Sequence, residues 1–201
     1  NFSVMNPLDN YYYGTTFAEG NLEVTTPNSS STYTFNTSTI LVSSGKWYAE
    51  FFVTYLDSNL IGVAGQASQA SNHVLGTKND QVGYYFDGSY YKNNSQTSSY
   101  GNSYAQNDSK NGTFQNSGVP TSGSTGTGAI SIPAPSATVD GGYRFACGEF
   151  SNNYAAHNIN FGQDGTFAGR TTAGGNSDGN GIGDFKYPVP SGYLALCTKN
   201  L

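Results

Sequence analysis

The residues of this chain best suited to hold an ion lie in the loop "NSDGNGIGD". Counted from Asn176, oxygen-bearing side chains fall at positions one, three, five and nine, as Asn176, Asp178, Asn180 and Asp184. Gly181 stands sixth, where a calcium loop makes its sharp turn, and Ile182 seventh, where a backbone carbonyl would serve. Position twelve is Tyr187 rather than a bidentate glutamate, so any Ca2+ held here would be weakly bound. A turn cluster of Gly, Asn and Asp produces the same spacing, and both readings stand.

Catalytic constellations are sparse. Glycoside hydrolysis needs two carboxyl groups about 5 to 10 Å apart. Glu50 and Glu149 lie in strong strand candidates, but Glu149 ends its strand with no acidic neighbour. The histidines, His73 and His157, stand outside any G-x-S-x-G context, and no Cys/His spacing suits zinc. The Gly-rich stretches lack the Lys-Ser/Thr that would follow a phosphate cradle. These patterns predict a protein that is not an enzyme.

Aromatic side chains offer a different chemistry. "NYYYG" carries Tyr11, Tyr12 and Tyr13, "GSYYKNN" carries Tyr90 and Tyr91, and "SSYGNSYA" carries Tyr100 and Tyr104. Tyrosine set among Asn, Ser and Gly gives rigid contact area beside small hydrogen-bonding groups, as in adaptable binding loops. Sugar faces stack on such rings and sugar hydroxyls bind Asn and Asp. The competing reading places these rings in the core or on sheet faces, as expected for Tyr84 and Phe86.

The elements that must position these groups are strands. Charged residues make up only 10% of the 201, while Gly numbers 26, Tyr 16 and Phe 12. So many aromatics argue against disorder, and the lack of helical periodicity argues against helices. The net charge of -5, with only eight Lys and Arg, excludes the basic stripe that nucleic acid requires. No apolar run approaches the roughly 20 residues of a membrane span, so no membrane insertion is expected. Cys147 and Cys197 fall in strand candidates and read as buried thiols, with a bridge between them left open.

The clearest strand is "KWYAEFFVTY", with Trp47, Ala49, Phe51, Val53 and Tyr55 on one face and Tyr48, Glu50, Phe52 and Thr54 on the other. Both faces are largely apolar, which suits an interior strand. "NLEVTT", "STILV", "LIGVAG", "QVGYYF", "AISIP", "GYRFACGEF", "HNINFG" and "GYLALC" supply further strands, and Asp87-Gly88 signals a hairpin turn. Many short strands with Gly-rich turns predict one all-β domain over 1–201, an antiparallel two-sheet β-sandwich. The chain opens at Asn1 without a leader pattern and reads as a processed chain or a module of a longer polypeptide.

Several segments together resemble the SPRY domain family, whose fold is a concanavalin A-like jelly roll. "SSGKWYAEFFVTY" is similar to the family's "GKWYWEV" strand. "LIGVAGQASQASNHVLGTKNDQVGYYFDG" resembles the next strand, its connector and the "GYY-DG" hairpin. "KNGTFQNSG" resembles the "KNG" turn, and "NINFGQ" the "NFGQ" strand. The opening "NFSVMNPLDN" and closing "PVPSGYLALCTKNL" resemble flanks of SPRY-like bacteriophage proteins, marine ones especially. Glu50 falls on the "WEV" position, where the resemblance implies a structural side chain.

One departure stands out. The family carries an inner strand, roughly "DVIGVALDLDNGTIWF", where Asn107, Asp108 and Ser109 here join "YGNSYA" directly to "KNG". A central strand cannot be lost cheaply, since it leaves backbone groups unpaired and opens the core. The sequence therefore predicts a missing strand near 107–110.

The resemblance implies a recognition module on a phage virion, on a tail fibre or head appendage. Its ligand would be a host-surface glycan or protein bound through the Tyr/Asn/Gly-rich loops. The alternative is a structural module that decorates the capsid or assembles a fibre without a host ligand. Expected partners are other virion proteins and the host surface, with a homo-oligomer left open, and the expected location is the virion surface.

Overall fold

A computed structural model describes residues 1–9, 14–27, 33–67, 73–115, 129–150 and 154–201. The strands run in chain order as β1 (Thr16–Ala18), β2 (Glu23–Thr25), β3 (Phe35–Thr37), β4 (Lys46–Tyr55), β5 (Asn59–Ala64), β6 (Gln81–Tyr85), β7 (Tyr90–Lys92), β8 (Ser95–Thr97), β9 (Ser109–Gln115), β10 (Arg144–Glu149), β11 (Ala156–Asn160) and β12 (Leu194–Ala195). The first sheet runs β1-β2-β11-β4, with β9 along the free side of β4 and the short β12 beyond β11 on the other. The second runs β3-β10-β5-β6-β7-β8. Every named pairing is antiparallel except β4 with β12, which is parallel. The protein is an all-β, two-sheet sandwich, as the strand pattern predicts. Among the described residues no helix is long and apolar enough to cross a membrane.

The alternation in β4 explains why this strand lies inside its sheet. Trp47, Ala49, Phe51 and Val53 point between the sheets, against Ile61 of β5, Phe145 and Cys147 of β10 and Ile159 of β11. The opposite face is buried too, because the C-terminal chain folds over it. Tyr48 meets Phe185 edge-on with ring centroids 5.0 Å apart, beside Tyr193 and Ala195, and Phe52 lies 5.6 Å from Phe167. A strand covered on both faces needs apolar residues at nearly every position, and this one has them.

Glu50 is the polar residue in that covered face, and it is fully buried. Its Oε1 accepts from the Tyr48 hydroxyl at 2.9 Å and the Tyr187 N–H at 2.8 Å. Its Oε2 accepts from Asn160 Nδ2 at 3.1 Å and the Lys186 N–H at 3.0 Å. Burial raises its pKa and the four donors oppose the rise. The side chain is a tie between β4 and the covering chain.

The second sheet buries its outward face under residues 73–76. Phe35, Leu60, Ala64, Leu75 and Ala146 form that cluster. Gly83 is required there: a Cβ would stand 2.7 Å from the Leu75 carbonyl oxygen and 2.9 Å from the Leu60 side chain.

Several sequence expectations shift. The strand expected at "STILV" lies earlier, at Phe35–Thr37; Ser38 and Val42 make only single bridges, to Met5 and Tyr143. "AISIP" forms no strand; Ile132 packs on the core, and Pro133 offers its carbonyl to the Tyr143 hydroxyl at 2.8 Å. "KNG", expected as a turn, lies inside β9, paired without interruption from Lys46↔Gln115 to Phe52↔Ser109. The turn stands just before it. Asp108 N–H donates to the Ala105 carbonyl at 3.1 Å, the Ala105 N–H to Asp108 Oδ2 at 2.8 Å, and Asn107 N–H to Val53 O at 2.7 Å. Ser109, close to where the strand was expected to be missing, opens β9, which pairs along β4. Cys147 and Cys197 are both free and buried.

Candidate functional site

The β6–β7 hairpin sorts its tyrosines onto two faces. Its turn is the expected Asp87-Gly88: Gly88 has φ 88°, and Asp87 Oδ1 accepts from the Ser89 N–H at 2.8 Å and its hydroxyl at 2.5 Å. Tyr84 stands opposite Tyr90 and Gly83 opposite Tyr91, so Tyr84 and Tyr90 share one face and Tyr91 the other, with Tyr85.

On the outward face, Tyr85, Tyr91, Phe150 and Tyr33 form one connected patch of half-buried rings. Tyr91 stacks on Phe150 with centroids 4.6 Å apart, Tyr85 meets Tyr91 edge-on at 5.5 Å, and Phe150 lies 5.6 Å from Tyr85 and 6.3 Å from Tyr33. Polar groups rim the rings. Burial raises the Tyr85 hydroxyl pKa; a hydrogen bond with Ser58 opposes this, and the charges of Asp87 and Asp57 add to it. Tyr91 is raised by burial, then by Tyr85 and Asp87. Both phenols therefore remain neutral donors at physiological pH.

The inward face is more enclosed. Tyr100 meets Tyr84 at 6.0 Å and Tyr90 at 5.0 Å, both edge-on. Tyr84 donates its hydroxyl to the Asn102 carbonyl. Tyr104 is only 3% exposed and donates to the Asn59 carbonyl at 2.8 Å, so it belongs to the core. Of the tyrosines picked from sequence, Tyr90 and Tyr100 meet directly beside Tyr84, Tyr91 lies on the opposite face, and Tyr104 is internal. Tyr11, Tyr12 and Tyr13 lie outside the described residues. Tyr33, Tyr85 and Phe150 complete the outward patch and were not singled out; the alternation that puts Tyr85 on the same face of β6 as Gly83 was the available signal.

The carboxylates and histidines do not assemble a catalytic pair. Glu50 and Glu149 stand in different sheets. Glu149 is 1% exposed; its Oε1 accepts from the Thr34 N–H at 3.1 Å while Oε2 has no partner. Burial first, and then Asp57, push its pKa up to about 8 against the Thr34 bond, so Glu149 has the acidic neighbour that the sequence did not reveal. His157 is fully buried on β11. Asn59 fixes its protonation: the Asp57 N–H donates to Asn59 Oδ1 at 2.9 Å, which turns Asn59 Nδ2 toward His157 Nε2 at 3.0 Å. Nε2 must then accept, the proton sits on Nδ1 without a partner, and burial holds the pKa down near 3. His73 packs beside Phe35, its pKa lowered by burial and Lys78 and raised by Asp80.

In the candidate calcium loop both carboxylate oxygens of Asp178 already accept hydrogen bonds. Asp178 Oδ1 accepts from the Asn180 and Ile182 N–H groups, each at 2.9 Å. Its Oδ2 accepts from the Ala195 N–H at 3.0 Å and Asn200 Nδ2 at 2.8 Å. Burial raises the Asp178 pKa, but these bonds outweigh it and hold the group below its ordinary value. Asn176 turns its amide to the Phe185 and Lys186 carbonyls and Asn180 to Asn200, while the backbone carbonyl of Asp184 accepts from Asn160. Among the described residues no three His, Cys, Asp or Glu gather as a metal-binding group. The loop's geometry is that of a hydrogen-bonded clasp closing onto β12.

No family model matches the sequence, and no curated protein matches it. Solved structures do match its shape. The SPRY domain of human HERC1 superposes with a TM-score of 0.57 at 14% identity, over 77% of this chain and 96% of that domain. The chain has a SPRY-like fold. Stonustoxin is similar at a TM-score of 0.53 and 11% identity, over 79% of this chain and 27% of the stonustoxin chain. The SPRY-like sandwich thus places the Tyr33–Tyr85–Tyr91–Phe150 patch on the outward face of its second sheet.

Proposed function

We propose that this chain is a non-catalytic recognition module whose outward aromatic patch receives a protein or glycan ligand. The observation that carries this reading is the connected set of half-buried rings, Tyr33, Tyr85, Tyr91 and Phe150, rimmed by Asp57, Ser58 and Asp87. Partly exposed aromatics offer large contact area at low entropic cost, and the hydroxyls of the three tyrosines supply direction. The SPRY-like fold supports the reading by analogy, since one of its structural neighbours is an isolated domain of a larger protein.

The bacteriophage-like flanks support a virion setting: a tail fibre or head appendage, with other virion proteins as neighbours and a host-surface glycan or protein as ligand. Screening the domain against a glycan array and a displayed peptide library tests this. A ligand whose binding is lost in Tyr91→Ala supports the module. Binding to neither library, with tight association to sibling virion proteins, would replace it with a capsid-decorating or fibre-assembly role.

A further inference from the structure

The outward aromatic patch is framed by two turns that carry the same charge. The β4–β5 turn holds Asp57 and the β6–β7 turn holds Asp87. Both lie at one end of the second sheet, because β5 and β6 run antiparallel with Leu60 opposite Tyr85. Phe150 is tied to the same end, its N–H donating to the Ser58 carbonyl at 2.8 Å. Asp87 is exposed, and both Ser89 donors go to its Oδ1, which leaves Oδ2 without a donor among the described residues. Asp57 is half-buried and likewise accepts on Oδ1, from the Ser58 hydroxyl at 3.2 Å. Burial is the first cause of the raised Tyr85 and Tyr91 hydroxyls, and the acids add to it: Asp87 and Asp57 at Tyr85, Asp87 at Tyr91. No base acts on either ring.

The chain has eight Lys and Arg, all among the described residues, and each is placed elsewhere. Lys46, Lys110 and Lys186 lie over the rings of Tyr193, Tyr104 and Tyr187, at 5.8, 5.8 and 5.9 Å from the centroids. Lys92 donates to the Ser131 carbonyl at 2.6 Å, and Arg144 and Arg170 pair with Asp140 and Glu23. Lys199 stands in the closing segment, between Thr198, bonded to Asn1, and Asn200, bonded to Asp178. Lys78 offers its carbonyl to the Asn93 N–H at 3.1 Å, beside the β7–β8 turn and so at the other end of the hairpin from Asp87. Rings and carboxylates with no cation of their own are one half of a recognition pair.

We infer, on the reading of this patch as the recognition surface, that it takes a guanidinium: an arginine side chain of a partner polypeptide, laid against the rings and pairing with Asp87 or Asp57. Arginine fits on two counts. Its planar, weakly hydrated head stacks on aromatic faces, and its fork of N–H donors matches a carboxylate. An ammonium is a strongly hydrated point charge and gains less from the rings. An uncharged sugar would stack but leave both carboxylates unanswered. The net charge of -5 favours the approach of a basic partner.

The test follows the ring resonances of Tyr85, Tyr91 and Phe150 during titration with three probes. These are Nα-acetyl-arginine N-methylamide, its citrulline counterpart, which keeps the shape without the charge, and methyl glucoside. Saturable shifts with the arginine probe at a Kd of about 5–50 mM are expected, with the other two at least about fivefold weaker. Asp57→Asn and Asp87→Asn together keep the Oδ1 acceptors that the two turns use, so the fold stands while affinity for the arginine probe falls about threefold to tenfold. Peptides from a displayed library whose binding is lost in Tyr91→Ala should carry an arginine, and its replacement by citrulline should weaken them about tenfold. No saturable shift with the arginine probe up to about 200 mM, equal binding of citrulline or methyl glucoside, or unaltered affinity in the double variant would overturn the proposal. In that event an uncharged ligand lost in Tyr91→Ala keeps the patch as a recognition surface, whereas the lack of any Tyr91-dependent ligand removes both readings.

Discussion

Stability should reach a plateau in mildly acidic solution and fall on both sides of it, because two buried groups at one end of the sandwich are held neutral. Glu149 has an ordinary pKa of 4.5 and a folded value of about 8. Its folded value is raised, so its contribution is complete below 4.5 and is lost as the pH climbs toward about 8. His157 has an ordinary pKa of 6.5 and a folded value of about 3. Its folded value is depressed, so its contribution is complete above 6.5 and is lost as the pH falls toward about 3. Between 4.5 and 6.5 the two slopes oppose each other and cancel. From 6.5 to about 8 only Glu149 still changes, and at about 1.4 kcal/mol per pH unit the fold loses about 2 kcal/mol. For a chain of this length that corresponds to about 4–8 °C in Tm. Glu50, raised by burial, adds a loss that begins above its ordinary 4.5, and Asp164 and Asp178, lowered by their bonds, deepen the acid one. Melting curves across this range, for the natural sequence and for Glu149→Gln, separate the contributions. The variant should lose most of the decline between 6.5 and about 8 while keeping the acid one. A natural sequence whose Tm is level over that interval, or a variant that declines just as steeply, would refute the reasoning.

Other consequences follow from single contacts. Asp178→Ala strips four donors of their acceptor and should cost about 3 kcal/mol in a denaturant titration, whereas millimolar calcium should leave the Tm of the natural sequence unchanged. Glu50→Gln presents an amide to two of its four donors and should lower stability by about 2 kcal/mol, read the same way. Gly83→Ala forces the Leu75 carbonyl and Leu60 away from the sheet and should cost about 1–3 kcal/mol, with the ring geometry around Tyr91 disturbed in near-ultraviolet circular dichroism.

Much of the sandwich was legible because its signals are local. The alternation of β4, the Asp87-Gly88 turn and the apolar runs of β5 and β10 depend on neighbours a few residues away. β9 was not, because "SKNGTFQ" is polar and carries a turn-like Asn-Gly. It becomes a strand because β4 offers it a full row of backbone partners, a tertiary fact. The candidate site was half legible. Sequence drew attention to Tyr90 and Tyr91 as a pair, yet adjacent strand residues face opposite ways, and only the register shows that Tyr91 joins Tyr85 and Phe150. Phe150 lies 59 positions from Tyr91, and no spacing rule connects them. The spacing of Asn176, Asp178, Asn180 and Asp184 left a calcium loop and a turn cluster both open, and two of the donors that the Asp178 carboxylate meets come from Ala195 and Asn200 on the closing segment, beyond the reach of any local pattern.

The direct test of the recognition surface uses the two faces of one hairpin as each other's control. For a ligand selected from either library, the affinities of Tyr91→Ala and Tyr90→Ala are compared with that of the natural sequence by calorimetry. Truncating an anchoring ring at the centre of the patch should cost about 2 kcal/mol, so Tyr91→Ala is predicted to weaken binding about thirtyfold. Tyr90 points to the other side and its loss should change affinity by less than about threefold. Unaltered binding in Tyr91→Ala, or a loss confined to Tyr90→Ala, would contradict the assignment of the outward aromatic patch as the recognition surface.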